Sequence, residues 1–189
     1  MSRTALFVID IQHALVGDPD TAIPHAQRII DAGTALLERA RSSIDSVRVS
    51  GKKPELDIVI VQHEETPEKG NLQKGSKAWE VHFSPQESND HESLVAKDVR
   101  DTFQSNPEMA DELRSRGVDT IVAFGIQSEC CVLSTCRGAL AEGFKVVLLK
   151  GAHSTYNTDK KTAQEIEKEV DDVLLAEGVE IKEWETWML

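Results

Sequence analysis

Six short apolar runs divide this chain and constrain its fold more than any other feature: TALFVI (4–9), DIVIVQ (57–62), SLVAK (93–97), DTIVAFG (119–125), KVVLL (145–149) and GVEIKEW (178–184). Most are rich in Val and Ile and too short for helices. They are expected to be strands, several of them buried on both faces. Between them lie stretches with helical spacing at 24–44, 107–117, 128–143 and 159–178. Pro24 and Pro107 suit first helical turns, and Gly117 and Gly143 suit stops. Strands alternating with helices imply a parallel sheet covered on both faces. The expected fold is therefore α/β, a three-layer α-β-α, Rossmann-like arrangement with six parallel strands in the order 3-2-1-4-5-6. A length of 189 residues suits one domain over 1–189. The exception to the alternation is 63–92, which is long, polar and rich in Gly, Pro, Ser and Asn. A segment of that length without its own periodicity is usually functional or mobile.

In an open parallel sheet, ligands bind beyond the carboxyl ends of the strands, where strand order reverses. Three chemically useful residues fall at such ends. The first run stops at Asp10, the third at Lys97, and the fourth at Gly125, which leads into IQSECCV and the adjacent Cys130 and Cys131. Each has an ordinary reading when taken alone: a turn acid, a solvated lysine, a small core filler. Taken together they make a site. Cysteine attacks as its thiolate, which a helix N-terminus and a nearby ammonium both favour. Cys131 would sit in the first turn of the helix after the fourth strand, within reach of Lys97. Asp10 is placed to take the thiol proton and return it to a leaving amine. Backbone N–H groups in the 125–131 turn are placed to hold an oxyanion.

Charge and cysteine content narrow the classes. Lys and Arg number 21 against 33 Asp and Glu, a formal net charge of −12. That field repels phosphate backbones and anionic lipid, so neither a nucleic acid nor a membrane is an expected partner. Three cysteines without paired spacing suggest neither a disulfide framework nor a zinc finger, and a reducing, cytoplasmic location fits. The beginning MSRTALFVIDIQ carries no signal-peptide pattern, and no apolar run approaches membrane-spanning length. A dehydrogenase is disfavoured because no Gly-x-Gly-x-x-Gly follows the first run.

Three separated stretches carry a resemblance to a known family: ALFVIDIQ, LVAKDVRDTFQSN and GIQSECCVLSTCRGALAEGFKVVLL, with GAHSTY after the fifth run. The chain resembles the isochorismatase-like cysteine hydrolases, which include nicotinamidases and N-carbamoylsarcosine amidases. The likeness runs from about residue 4 to 156. Its register assigns the signature serine to Ser128 and the nucleophile to Cys131, leaving Cys130 and Cys136 without chemistry. The resemblance implies a triad of Asp10 as general base, Lys97 as orienting cation and Cys131. It also implies a cis peptide between Ile126 and Gln127, oxyanion donors at the amides of Gln127 and Cys131, and a homo-oligomer, dimer or tetramer.

The pattern departs from nicotinamidases at VQHEETPE, where His63 has no aspartate two residues before it. A metal held by His63 with His82 and Glu65 is weighed and set aside, so neither metal nor cofactor is expected. The substrate is expected to be a small molecule. Relatives line the substrate cleft where this chain has Trp79 and His82, and Gln12 follows Asp10 closely enough to join them. The expected function is hydrolysis of a small amide, ureide or carbamoyl C–N bond through a thioester. The alternatives are a vinyl ether hydrolase of the isochorismate type driven by Asp10, and a binding protein without turnover.

Overall fold

The computed structural model describes residues 3–86 and 89–187. Six strands, β1 (Arg3–Ile9), β2 (Leu56–His63), β3 (Glu92–Lys97), β4 (Val118–Ile126), β5 (Lys145–Ser154) and β6 (Glu180–Glu183), form one sheet. Every pairing is parallel and the order is β3-β2-β1-β4-β5-β6, as the alternation predicts. The helices are α1 (His13–Val16), α2 (Ala26–Val49), α3 (Thr102–Ser105), α4 (Met109–Ser115), α5 (Leu133–Ala141) and α6 (Ala163–Ala176).

The near-continuous apolar runs are explained by burial on both faces. In β1, Ala5, Phe7 and Ile9 belong to one core cluster while Leu6 and Val8 belong to the other. Strand side chains alternate, so a central strand must be apolar at every position. The first cluster includes Ala110 and Leu113 of α4, Cys136 and Ala139 of α5, and Ile166 and Val170 of α6. The second is covered mainly by α2, through Ile29, Leu36, Leu37 and Ile44. β3 lies at the sheet edge and differs: Ser93, Leu94 and Ala96 are exposed.

Several boundaries depart from expectation. β5 continues to Ser154, five residues past the apolar run. Its pairing with β4 breaks between Ala123 and Gly125, then resumes as Gly125↔His153 and Ile126↔Ser154. The interruption coincides with Gly151, whose φ is 82°. The expected helix at 128–143 opens instead as a π-helical turn, Ser128–Val132, before α5. The segment from 64 to 91 forms no helix or ladder strand among its described residues. It is strapped to the end of β1 by a lone antiparallel bridge between Gln12 and Val81 and by backbone bonds His13 N–Glu80 O (2.8 Å) and His82 N–Ile11 O (2.8 Å).

Candidate functional site

The ends of β1, β3 and β4 bring three side chains into contact. Lys97 Nζ lies 2.7 Å from Asp10 Oδ2 and 3.1 Å from Cys131 Sγ. Backbone geometry makes the approach possible. Asp10 adopts φ 50°, a left-handed conformation uncommon outside glycine but tolerated by Asp. Beside it, Gly125 has φ 136°, and a Cβ built there would lie 2.1 Å from the Ile9 carbonyl oxygen. Only glycine lets β4 pass this close to β1 as the chain turns towards the thiol. The peptide between Ile126 and Gln127 is cis. Within the turn that follows, the Gln127 carbonyl accepts the N–H groups of Cys130 (3.1 Å) and Val132 (3.2 Å), and the Cys131 N–H is not one of that pair.

The site is deeply buried, with Cys131 its most accessible member. Asp10, Lys97 and Cys131 are 2%, 2% and 9% exposed. Burial alone would lower the Lys97 pKa, but the Asp10 carboxylate and the Cys131 sulfur outweigh it and hold the ammonium charged. Burial, then the Asp10 carboxylate, push the Cys131 thiol far up against the opposing pull of Lys97. The resting state is therefore a carboxylate–ammonium pair beside a protonated thiol. Removing one member of a buried ion pair leaves the other charge uncompensated. Lys97→Met should accordingly lower unfolding stability by about 3 kcal/mol, read from urea denaturation. An unchanged midpoint and slope would show that the pair is not held as described.

A fourth residue joins the cluster. His63, at the end of β2, has Nδ1 3.2 Å from Lys97 Nζ. Burial, then Lys97, lower its pKa, so the ring is neutral near neutral pH. An ammonium only donates, so Nδ1 accepts and the ring proton resides on Nε2. Asp10, His63 and Cys131 each offer a potential metal-ligand atom, all within 4.8 Å of one another. Yet the Lys97 ammonium lies within 3.2 Å of all three residues, where a bound cation would have to sit. This donor set fits the chain's own ammonium and not a metal ion. Glu65 is not part of this group, and its Oε2 accepts the Leu72 N–H (3.0 Å).

Gln12 was expected at the substrate and is placed otherwise. It is fully buried, and its amide clamps backbone: Nε2 donates to the carbonyls of His63 (3.0 Å) and Trp79 (2.7 Å), while Oε1 accepts the His63 N–H (2.9 Å). It therefore presents His63 and fastens the 64–91 segment, with both amide N–H groups spent on backbone. Trp79 is half-buried, its carbonyl also gripped by Gln62 Nε2 (2.9 Å), and its indole N–H has no partner among the described residues. His82 is exposed and packs edge-on against Phe83. Cys130 is half-buried, with its pKa raised by burial and by Glu129, while Cys136 is fully buried and pushed up to about 12. A cavity of about 1330 Å³ lies at the opposite end of the sheet, among Thr4, Leu56, Thr120 and Phe144. It touches none of these residues.

Comparisons with known proteins agree with this fold. A model of the isochorismatase domain matches residues 4–170. A streptothricin hydrolase from Streptomyces noursei is 35% identical over 153 residues, covering 81% of this chain and 55% of that protein. The chain thus spans about half the length of this relative, and 50% of a second streptothricin hydrolase from the same organism. Among solved structures, an isochorismatase-like hydrolase from Alkaliphilus metalliredigens superposes with TM-score 0.78 at 22% identity, covering 97% of this chain and 96% of that one. A pyrazinamidase of Pyrococcus horikoshii in complex with zinc superposes with TM-score 0.70 at 20% identity, covering 96% and 99%. At such identities these structures speak for the fold alone. Among the described residues, no helix is long and apolar enough to cross a membrane.

Proposed function

Because the chain belongs to the isochorismatase-like hydrolase family, we propose that it hydrolyses a small amide, ureide or carbamoyl C–N bond through a thioester on Cys131. The observation that carries this reading is the contact of carboxylate, ammonium and sulfur at 2.7 and 3.1 Å around a single Lys97 nitrogen. Asp10 takes the thiol proton as sulfur attacks the substrate carbonyl. Lys97 balances the charge that passes from Asp10 to sulfur. The oxyanion is held by the amides of Gln127 and Cys131. Asp10 then returns the proton to the departing nitrogen as the C–N bond breaks and the thioester remains. Water attacks the thioester, its proton passes to Asp10, and the S–C bond breaks to release acid and restore the thiol. Because burial and Asp10 keep the resting thiol protonated, attack is coupled to proton transfer and does not start from a standing thiolate. Trp79 and His82 flank the substrate on the strapped segment.

The test is a panel of small amides, ureides and carbamoyl compounds, with streptothricin included because two relatives are named for its hydrolysis. Intact-protein and peptide mass spectrometry should find an acyl adduct on Cys131 from at least one compound that is turned over. Turnover with the adduct on another residue would overturn the mechanism. Release of pyruvate from isochorismate by the Cys131→Ala protein would establish the ether reading in its place.

A further inference from the structure

We propose that His153 is a positioning residue for the nucleophile, acting through a sealed relay from Asp171 to Ser128 that fixes the turn carrying Cys131. The inference rests on the reading of Cys131 as nucleophile. His153 Nδ1 lies 2.8 Å from Ser128 Oγ, and Nε2 lies 3.0 Å from Asp171 Oδ1 on α6. A carboxylate accepts only, so Nε2 carries a proton towards Asp171; in the neutral ring Nδ1 then accepts and the Ser128 hydroxyl donates. The order carboxylate, imidazole, hydroxyl is that of a serine hydrolase triad. Here Ser128 is 0% and His153 1% exposed, so no substrate reaches the hydroxyl. The relay has to act on something other than a reacting atom.

What it acts on is local. Ser128 is the first residue of the π-helical turn, and Cys131 is the fourth. The Leu133 N–H reaches back to the Ser128 carbonyl, the wide i→i+5 register. Such turns are rare, are less favourable than α-helix and occur mostly at functional sites. Relaxing one to the α register rotates the residues after it. For Cys131 that means leaving Lys97 Nζ, now 3.1 Å away. The relay pins the first residue of the turn against that relaxation. A neighbouring tie works the same way: Thr155 Oγ1 donates to Glu129 Oε1 at 3.0 Å, gripping the second residue of the turn from the residue just past β5. β5 reaches this far because its ladder resumes at Gly125↔His153 after the interruption. Buried polar groups are costly unless bonded, and similar volumes of apolar side chain would hold the core as well.

The test uses the cysteines as internal probes. Native protein is treated with iodoacetamide and alkylation is followed at each cysteine by peptide mass spectrometry, for wild type, Ser128→Ala, Ser128→Thr and His153→Gln. Cys136, fully buried in α5, reports global unfolding. If the relay holds the turn, Ser128→Ala and His153→Gln raise the alkylation of Cys131 relative to Cys136. Ser128→Thr, which keeps the hydroxyl, stays near wild type. Ser128→Ala combined with His153→Gln is no worse than the more damaging single change, as expected for one coupled unit. With any substrate found, kcat falls by about 10²-fold, the scale of an ångström misplacement, while KM changes little. An unchanged Cys131 to Cys136 ratio in Ser128→Ala, with a lowered melting temperature, would make the relay purely structural and overturn the proposal. The alkylation ratio needs no substrate, so it stands apart from failure of the hydrolytic reading, which would leave the relay's effect on Cys131 intact.

Discussion

Cys131→Ala should lose at least about 10⁴-fold in kcat, the scale seen when a nucleophile is removed from a catalytic unit, and should keep its fold. The fold survives because little is taken away. Lys97 loses one contact at 3.1 Å but keeps Asp10 at 2.7 Å, His63 at 3.2 Å and the Val99 carbonyl at 3.3 Å. A deletion of one buried atom from such a site costs roughly 1 kcal/mol. The neighbouring thiol supplies the control. Cys130 is half-buried and has no bond to Lys97, so Cys130→Ala should retain most of the activity. Steady-state kinetics of the two variants, beside circular dichroism for folding, decide the matter. A Cys131→Ala protein with wild-type kcat, or a dead Cys130→Ala protein, would transfer the nucleophile elsewhere or abolish it.

The residues at the strand ends were legible because each terminates an apolar run whose burial is dictated by the sheet. A charged side chain following such a run has to lie at the sheet's edge, and the parallel order then puts Asp10 and Lys97 on the same edge as the turn after Gly125. What escaped was whatever depends on tertiary registration. Gln12 has the right position for a ligand contact, yet the neighbouring backbone of His63 and Trp79 lies close enough to use up its amide. In the sequence His63 stands out only as a metal ligand weighed and set aside, and the parallel pairing His63↔Lys97 is what makes it a partner of the ammonium. The π-helical turn has no sequence signal, because its register is set by Ser128 and the residues that grip it and not by propensity. β5 was cut short because KGAHS reads as polar and glycine-broken. In the structure Lys150 stays exposed, while His153 and Ser154 are buried and satisfied: Ser154 bonds Glu167 at 2.5 Å and His153 bonds Ser128 and Asp171. α2 runs to Val49, past the Ser42–Ser43 pair where the apolar spacing weakens. It does so although Asp45, Ser46, Val47 and Val49 are weak helix formers.

Asp10→Asn should move two measurements in opposite directions, which makes it the most informative single change at this site. Turnover should fall by about 10⁴-fold, the upper range for loss of a general base, because an amide cannot accept the thiol proton. The thiol itself should become more reactive. In the wild-type protein, burial is the largest influence raising the Cys131 pKa and the Asp10 carboxylate is the next, with Lys97 opposing both. Removing the carboxylate charge leaves the burial but deletes one of the two influences that favour the neutral thiol. The Lys97 ammonium then acts on the sulfur with less opposition, and the pKa must fall. At pH 8 a larger fraction is thiolate, so iodoacetamide should alkylate Cys131 faster in Asp10→Asn than in wild type. A merely structural Asp10 would not divide the two readouts in this way. Its loss would either leave both unchanged or expose all three cysteines together, Cys136 included. If alkylation of Cys131 slows while turnover persists, the carboxylate is neither the base nor the brake on the thiol, and the proton path from sulfur through Asp10 to the leaving nitrogen is wrong.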